Sequence, residues 1–416
     1  MNNKISHRNN YSVRLVLIIV ILYCIVIFFQ VAKGDFLHVP GTNTVNFLYG
    51  KTIISSFSMH FATIILIFAG VFKYHSFSKV NIYSLFSFWI LGLYMLVYFV
   101  SDILEYGFLD IIHQTAGPMV YFVFFGMFIT FNENNWEILV KVCRIIAPVL
   151  LITSFFVTLS FLKNYGGYIG NSPQILLLGN GFWAMAIATI GTAKKDKLVT
   201  QLFFIICIGF GLATSILYAT RSWTVQCSLL LLLYYFKQTS IKRINIFYVF
   251  ISVVLLYLGF TFLDKNFSDN LEYLSDRLYN NTRSFQYDEI FSQFSLGDLF
   301  FGRGTFGTYY SSLYGNYAYI DNTLIYILFH WGLIPMLCVF LLYFVPVLDI
   351  FIHRRSKECT FRAIIIILWL LSINGLSVYN TIIFDLRNAL IVFTLGKCYG
   401  EMLNIKSHNL WTTGRN

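Results

Sequence analysis

The chain has 416 residues, of which 57% are hydrophobic and only 12% are charged, and its mean hydropathy is +0.69. Soluble domains carry roughly 25% charged residues, so the composition argues against an ordinary soluble enzyme or binding module. The net charge of +10 does not indicate nucleic-acid binding, because the basic residues lie mostly at the ends of apolar segments and form no continuous patch.

The first apolar segment predicts a membrane-spanning helix. Residues 13–31 are interrupted only by Arg14 and Gln30, and a helix needs about 20 apolar residues to cross a hydrocarbon core of about 30 Å. Lys4 and Arg8 precede this segment, as in a signal sequence, but no small-residue cleavage site follows. The segment is therefore predicted to remain in place as the first span.

Eleven more apolar segments follow along the chain, and helices are their expected form because lipid offers no partner to unpaired backbone groups. The sequence thus predicts an all-α, polytopic transmembrane helical bundle of about twelve spans, forming a single integral membrane domain over residues 1–416. The predicted spans are residues 13–31, 53–72, 83–100, 115–131, 145–162, 174–192, 198–216, 222–236, 244–262, 323–349, 361–377 and 382–400.

The distribution of basic residues predicts the orientation of these spans. With the N-terminus in the cytoplasm and alternating sides, 20 of the 29 Lys and Arg residues lie in cytoplasmic segments or at adjoining span ends. Every cytoplasmic segment then carries at least two basic residues, as the positive-inside rule requires. An even number of spans places both termini in the cytoplasm.

One hydrophilic segment is much longer than the others. Residues 263–322, about 60 in number, join the ninth and tenth spans and are predicted to form an external loop that acts as a lid. Within it, residues 270–294 repeat apolar side chains at near-helical spacing, which predicts an amphipathic helix on the membrane surface or over a cavity. The glycine- and tyrosine-rich residues 302–319 are predicted to be irregular loop.

Motifs for metal, nucleotide or disulfide chemistry do not occur in the sequence. The seven cysteines have no paired spacing and none lies in the large loop, so neither a disulfide framework nor a metal site is predicted. P-loop, HExxH, GxSxG and CxxC patterns are all missing, and the sequence predicts no cofactor.

Four arginines depart from the charge bias, on the predicted outer side or inside a span: Arg221, Arg283, Arg303 and Arg387. A guanidinium is a planar fork of donors that matches phosphate oxygens, so a converging set would suit a diphosphate. Structural alternatives remain open for three of them. Arg387 can pair with Asp385, and Arg303 can face water in a glycine-flanked turn. Arg283 can lie on a solvated helix surface.

Further candidate residues lie near the start of the tenth span. Asp321 can act as a general base at the mouth of an apolar cavity, with Asn322 as a binding residue, but both types are also good helix N-caps. His330 is a binding candidate as well, although a buried histidine often only satisfies a neighbouring group. Tyr309 and Tyr310 belong to the eight tyrosines of the loop, which can stack on sugars but are also common at membrane interfaces.

This arrangement resembles the O-antigen and capsular polysaccharide repeat-unit polymerases (the Wzy-like family), which are related to the O-antigen ligases. The resemblance covers the whole topology and three short motifs carry it. These motifs are the Thr220-Arg221-Ser222 turn between two spans, Arg283 followed by the glycine-rich residues 299–307, and Asp321-Asn322 ahead of the WGLIP sequence at residues 331–335.

The resemblance implies a membrane glycosyltransferase that acts on undecaprenyl-diphosphate-linked oligosaccharides at the outer face of the bacterial inner membrane. The growing glycan would move from its lipid diphosphate onto a new lipid-linked repeat unit. Arg221 and Arg283 would neutralise the leaving diphosphate, with Arg303 or Arg387 assisting. Asp321 would orient or deprotonate the acceptor hydroxyl. A chain-length regulator and a flippase are the protein partners that the resemblance implies.

Two other functions suit a membrane protein of this length, a lipid-linked oligosaccharide flippase and an O-antigen ligase. A flippase is expected to have internal repeats and short loops on both sides of the membrane. This sequence has no obvious internal repeat, and its longest polar segment lies on the predicted outer side. The polymerase is therefore the preferred hypothesis.

Overall fold

The structure is a computed structural model that describes residues 2–32, 35–38, 45–48, 65, 68, 82–107, 124–131, 133–165, 173–218, 220–238, 282–312, 315–318, 320, 322–353, 356–371 and 386–413. Some side chains near the ends of helices, including those of Arg221 and Arg283, lie outside this description. Four of the described helices are long and apolar enough to cross a membrane: Ile82–Tyr106, Glu133–Lys163, Leu198–Leu217 and Leu333–Ile352. The chain is therefore a mostly helical membrane protein, as its composition predicts.

The described helices are α1 (Asn2–Ala32), α2 (Ile82–Tyr106), α3 (Glu133–Tyr165), α4 (Pro173–Ile190), α5 (Leu198–Leu217), α6 (Arg221–Gln238), α7 (Thr282–Ser292), α8 (Leu296–Phe301), α9 (Thr323–Trp331), α10 (Leu333–Ile352), α11 (Lys357–Leu371) and α12 (Leu386–Thr413). A 3₁₀ helix covers Phe124–Ile129. Strands β1 (Asp35–His38) and β2 (Val45–Leu48) form one antiparallel hairpin, and β3 (Tyr309–Ser311) and β4 (Gly315–Tyr317) form another.

Several predicted spans coincide with a described helix, and three predictions need correction. The described part of predicted span 115–131 is a 3₁₀ helix that ends at Ile129, not a spanning α-helix. The tenth predicted span is not continuous, because Gly332 adopts a φ of +89° and separates α9 from α10. Residues 302–319 are not wholly irregular, because they contain the β3–β4 hairpin. Predicted spans 53–72 and 244–262 fall almost entirely outside the described residues, and so does the first half of the amphipathic stretch 270–294.

Contacts divide the chain into two compact units, which are described separately. The first unit contains Met1–Ile19, Phe61–Ile138 and Asn281–Asn416, and the second contains Val20–His60 and Leu139–Asn280. In the first unit α10 is central and packs against α2, α9, α11 and α12. Helix α12 also packs on the 3₁₀ helix, where a side chain at Gly396 would overlap the Met127 carbonyl oxygen at 1.9 Å.

One end of the first unit holds a network of charged side chains. Buried Arg362 on α11 pairs with Glu401 and, at 3.3 Å, with Glu358. Buried Lys397 on α12 pairs with Glu401 at 2.9 Å and with Glu133 at the start of α3. The network therefore ties α11 and α12 to the start of α3.

The second unit contains a similar polar anchor. Asp196, in the connection between α4 and α5, accepts hydrogen bonds from Arg144 at 2.5 Å, Gln238 at 2.9 Å and Tyr234 at 3.0 Å. Lys237 lies 3.8 Å from the same carboxylate. Since Arg144 belongs to α3 and the other donors to α6, this one carboxylate ties the α4–α5 connection to two helices.

Candidate functional site

The candidate site is built around two glycines at the start of α10. Gly302 follows α8, and a Cβ on it would lie 2.3 Å from the carbonyl carbon of His330. Gly332 follows α9, and a Cβ on it would lie 2.0 Å from the carbonyl oxygen of Phe300. Both glycines have positive φ angles, +66° and +89°, which disfavour other residues. The two backbones therefore approach each other as closely as they do only because both positions are glycine.

The loop after α8 caps the C-terminal end of α9. The backbone N–H of Arg303 donates to the Phe329 carbonyl at 2.8 Å, and that of Gly304 donates to the His330 carbonyl at 2.9 Å. The last carbonyls of a helix have no partner within it, and loop donors can supply one. The glycine-rich motif thus fixes a segment of the predicted external loop onto the helix that carries His330.

The same loop is also fixed to α2, a candidate span. Thr305 donates through Oγ1 to the Asp102 carboxylate at 2.6 Å, and both side chains are buried. Tyr98 donates to the Phe301 carbonyl, and the rings of Tyr106 and Phe306 lie 4.4 Å apart. Three contacts therefore hold the loop after α8 against the C-terminal part of α2.

His330 is the most unusual polar group at this site. Its ring is 1% exposed, and Nδ1 lies 2.8 Å from the Gly304 carbonyl, so Nδ1 carries the proton and donates. In the neutral ring, Nε2 is then a hydrogen-bond acceptor. The backbone of Ala318 lies near the ring, but within the described residues Nε2 has no hydrogen bond of ordinary geometry. A buried, unpartnered acceptor is costly, and such atoms are candidates for a ligand or catalytic role.

Other polar groups share a face of α9 with His330. Thr323 and Tyr326 precede it at spacings that place all three side chains on one side of a helix. The Tyr326 ring packs against the His330 ring at an angle of 51°, with 4.2 Å between centroids. Thr323 is buried, and its hydroxyl has no hydrogen-bond partner among the described residues. The face forms a buried polar stripe that the sequence analysis did not identify, although its spacing could have indicated it.

Arg303 has several partners within the chain. Its Nε donates to Asp298 at 3.3 Å, Nη1 donates to the Thr308 carbonyl at 3.1 Å, and Nη2 donates to the Gln293 carbonyl. The guanidinium also lies over the rings of Phe294 and Phe329. This geometry matches a structural alternative more closely than phosphate binding, because few of its donors remain available.

Asp298 is stabilised as a carboxylate by the same contacts. Partial burial would raise its pKa, but the N–H and hydroxyl of Ser295 and the Arg303 guanidinium outweigh that effect and lower the pKa. Ser295 and Asp298 form a capping box at the start of α8, at 2.9 and 3.1 Å. Arg303 and Asp298 therefore form an internal pair that shapes the loop.

The two predicted tyrosines have different environments. Tyr309 is only 2% exposed, and its hydroxyl accepts a hydrogen bond from Gln286 at 2.8 Å. Its ring packs against Tyr317 and Phe329, so it holds the β3–β4 hairpin on α7 and α9. Tyr310 is 64% exposed, and its side chain is accessible for stacking. Tyr310 therefore suits sugar binding better than Tyr309 does.

Asn322 is the N-cap of α9. Its side-chain oxygen accepts from the backbone N–H groups of Leu324 at 2.9 Å and Ile325 at 3.3 Å. Asn322 therefore acts as a helix cap, which is one of the two roles that the sequence allows, and the role of Asn322 in binding stays a prediction. Asp321 lies outside the described residues, and its role as a general base also stays a prediction.

The two arginines predicted to bind diphosphate lie at helix starts. Arg221 is the first residue of α6 in the second unit, and Arg283 is the second residue of α7 in the first unit. Neither helix has an acidic residue in its first turn. The tight turn before α6 is held by Thr220, whose N–H and Oγ1 donate to the Ser215 carbonyl at 2.9 and 3.1 Å.

Arg387 lies near the start of α12 and is buried, with an interaction partner. Asp385, its predicted partner, is outside the described residues. The adjacent Asn388 is 1% exposed, and within the described part of the chain both of its amide atoms are without hydrogen bonds. The sequence analysis did not identify Asn388, because an asparagine in an apolar segment carries no charge that would mark it.

Comparison of the sequence with models of known protein families gives no match, and comparison with curated proteins gives none either.

Proposed function

We propose that the protein is a membrane glycosyltransferase that joins undecaprenyl-diphosphate-linked oligosaccharide repeat units into an O-antigen or capsular polysaccharide. The reaction would take place at the outer face of a bacterial inner membrane, with both termini in the cytoplasm and residues 263–322 outside. The bilayer itself and the lipid-linked oligosaccharide are its partners, together with a chain-length regulator and a flippase.

The position of two arginines at helix starts carries this proposal. The N-terminal end of a helix has a partial positive charge, so a cation there is unfavourable unless an anion is also bound. Arg221 and Arg283 both occupy first turns that contain no acidic residue. A phosphate at such a position would receive helix N–H groups as well as a guanidinium fork. Each of the two positions therefore suits a phosphate group of a lipid carrier.

In the proposed reaction the acceptor hydroxyl attacks the anomeric carbon of the donor glycan. A new C–O bond forms as the bond between that carbon and the diphosphate oxygen breaks, and the bonding electron pair leaves with the diphosphate. Direct displacement inverts the configuration of the anomeric carbon. Arg221 and Arg283 would stabilise the negative charge that develops on the leaving group.

The acceptor proton must move to a basic group, and two residues can provide one. Asp321 is the base that the resemblance implies. His330 is supported by its geometry, since its buried Nε2 is an acceptor without a hydrogen bond in the described structure. His330 lies in the last turn of α9, whereas Asp321 precedes that helix in the sequence. One acceptor proton needs one base, so the two residues are alternatives.

Complementation of a strain that lacks the protein tests the proposed function. The intact chain should restore a ladder of long glycans, whereas Arg221→Ala and Arg283→Ala should leave single repeat units with the protein still in the membrane. Lys163→Ala is the matched control, because Lys163 is an exposed cation predicted to lie on the same outer side. Full ladders from both arginine variants would refute the diphosphate role.

The same strain separates the alternative functions and the two bases. Deletion of a flippase would trap lipid-linked units on the cytoplasmic face, and deletion of a ligase would leave long glycan on its lipid carrier. Asp321→Asn and His330→Gln distinguish the bases, since only the variant that lacks the true base should lose the ladder. Because His330 also holds Gly304, its variant needs a thermal unfolding measurement alongside the ladder.

A further inference from the structure

Helix α8 exposes its apolar side chains although it packs on other helices. Leu296 is 78% exposed and Phe301 is 64% exposed, and Phe300 between them is also exposed. None of the residues of α8 is buried. An exposed cluster of large apolar side chains usually marks a surface that contacts another apolar phase.

The contact with α2 sets the depth of α8 relative to a candidate span. Tyr98 donates to the Phe301 carbonyl, and it lies eight residues before the end of α2 at Tyr106. At 1.5 Å per residue this is about 12 Å below the helix end. Helix α2 has 25 residues and is about 37 Å long, which exceeds a hydrocarbon core of about 30 Å. With the excess divided between its two ends, Tyr98 lies about 8 Å inside the core, so Phe301 lies in the outer part of the core.

Helix α10 gives a second, independent estimate of the depth of α8 in the hydrocarbon core. Its 20 residues, Leu333–Ile352, span about 30 Å, so its first residue lies at the edge of the hydrocarbon core. Gly332, directly before it, touches the backbone of Phe300 and Phe301. Two candidate spans thus place α8 at the edge of the hydrocarbon core or in its outer part.

The polar groups of α8 are satisfied within the chain. The capping box uses the N–H and hydroxyl of Ser295 and the carboxylate of Asp298, and Asp298 is also paired with Arg303. The Asp298 carbonyl accepts from the Gly302 N–H at 2.8 Å. Internal satisfaction of backbone groups is what a segment needs where water is scarce.

We propose that α8 is a membrane-interface anchor, in which Leu296, Phe300 and Phe301 insert into the lipid at the edge of the bilayer. The partner is the lipid itself, because the contact with α10 places α8 at the edge of the hydrocarbon core and the contact with α2 places it in the outer part of that core. The anchor fixes residues 302–306 and the adjoining β3–β4 hairpin at a constant depth. This proposal concerns the position of α8 and does not depend on the proposed reaction.

Collision accessibility of spin labels tests the anchor directly. Leu296→Cys and Phe301→Cys variants are labelled, reconstituted in vesicles of phosphatidylethanolamine and phosphatidylglycerol, and exposed to oxygen, which concentrates in lipid, or to a water-soluble nickel complex. Val97→Cys is the lipid-facing reference, since Val97 on α2 is 66% exposed and lies beside Tyr98. Thr308→Cys is the matched control, an exposed polar position in the same loop. The unaltered chain gives the background of the seven native cysteines.

The expected result is an oxygen-to-nickel ratio at positions 296 and 301 close to that at 97 and several-fold higher than that at 308. Ratios at 296 or 301 that match position 308 would overturn the proposal, because the side chains would then be in water. Low accessibility to both reagents would overturn it as well, because protein, such as a second copy of the chain, would then cover α8.

Discussion

Different kinds of interaction hold the segments near the two ends of α10. Beyond its C-terminal end, Arg362 and Lys397 share the carboxylates of Glu133, Glu358 and Glu401. At its N-terminal end, the loop after α8 is held by close backbone contacts at glycines and by backbone hydrogen bonds. At the C-terminal end, the charges are therefore neutralised by partners within the chain.

The difference separates stability from function. Buried cations with carboxylate partners leave little capacity for a ligand, so the charged end is expected to act as an anchor. The glycine end leaves His330 Nε2 without a hydrogen bond of ordinary geometry in the described structure. Unsatisfied buried polar atoms cost stability, and their presence beside a precisely shaped backbone suggests the functional end.

The largest expected effect is the loss of Arg362. Arg362→Met would remove the cation that pairs with Glu358 and one of the two cations that pair with Glu401, and removal of one member of a buried ion pair costs about 4 kcal/mol. The melting temperature of the detergent-solubilised protein should fall strongly. Lys357→Met is the matched control, an exposed cation on the same helix, and should melt like the unaltered chain. Equal melting of both variants would show that the network is not an anchor.

Alanine substitutions test whether the glycines near the N-terminal end of α10 are needed for the close backbone contact. Gly332→Ala would force a Cβ against the Phe300 carbonyl at a φ of +89°, and clash and strain together should cost about 3 kcal/mol. Gly304→Ala meets no neighbour within 4 Å but has a φ of +80°, so about 1 kcal/mol is expected. In thermal unfolding, Gly332→Ala should therefore lose more stability than Gly304→Ala.

Gly297→Ala is the control for these glycine variants. Its Cβ would meet only Ser295 Oγ at 3.6 Å, and alanine favours a helix, so α8 should be unchanged or slightly more stable. If Gly332→Ala were as stable as Gly297→Ala, the close backbone contact would not determine the geometry of the site.

Thr305 tests the link between the loop and α2. Thr305→Val keeps the shape but removes the hydrogen bond to Asp102, which should cost about 1 to 2 kcal/mol. Hydrogen exchange at residues 302–306 should accelerate more than exchange elsewhere. Thr308→Val, an exposed threonine in the same loop, should have no such effect. Unchanged exchange in Thr305→Val would argue against this tether.

The smallest expected effect is a pH dependence at the hairpin. Donation from the hydroxyl and N–H of Ser312 lowers the pKa of Glu289 below its ordinary value of 4.5. The contact is therefore stabilising above pH 4.5 and is lost as the pH falls through the lowered pKa. The protection factor of the Ser312 amide should decrease over that range. Glu289→Gln should remove this dependence, and an equal decrease in that variant would contradict the assignment.

Helix positions were predictable where an apolar run has the length of a span. Predicted spans 83–100, 198–216 and 222–236 lie within α2, α5 and α6, which have nearly the same limits. Helix α3 begins at Glu133, much earlier than the predicted residue 145, because Trp136 and Leu139 are buried although charged residues interrupt the apolar pattern. Hydropathy detects lipid exposure, and tertiary packing extends the helix beyond it.

The site was predictable in its residue types but not in its contacts. The glycines at 302 and 332 were visible as motifs, yet their mutual approach depends on residues distant in sequence. The same holds for the pairing of Thr305 with Asp102 and for the partners of Arg303. Non-local contacts leave no periodic signal, so the sequence could not separate an internally paired arginine from one that binds a ligand.

The most direct measurement is the reaction itself, with purified protein in nanodiscs and single lipid-linked units extracted from a strain that lacks it. The account predicts polymer together with released undecaprenyl diphosphate, one for each new glycosidic bond. Arg283→Ala should abolish both products, and Lys163→Ala should retain both. If the intact protein released no undecaprenyl diphosphate and instead moved intact units across vesicle membranes, the chain would be a transporter and the account would be wrong.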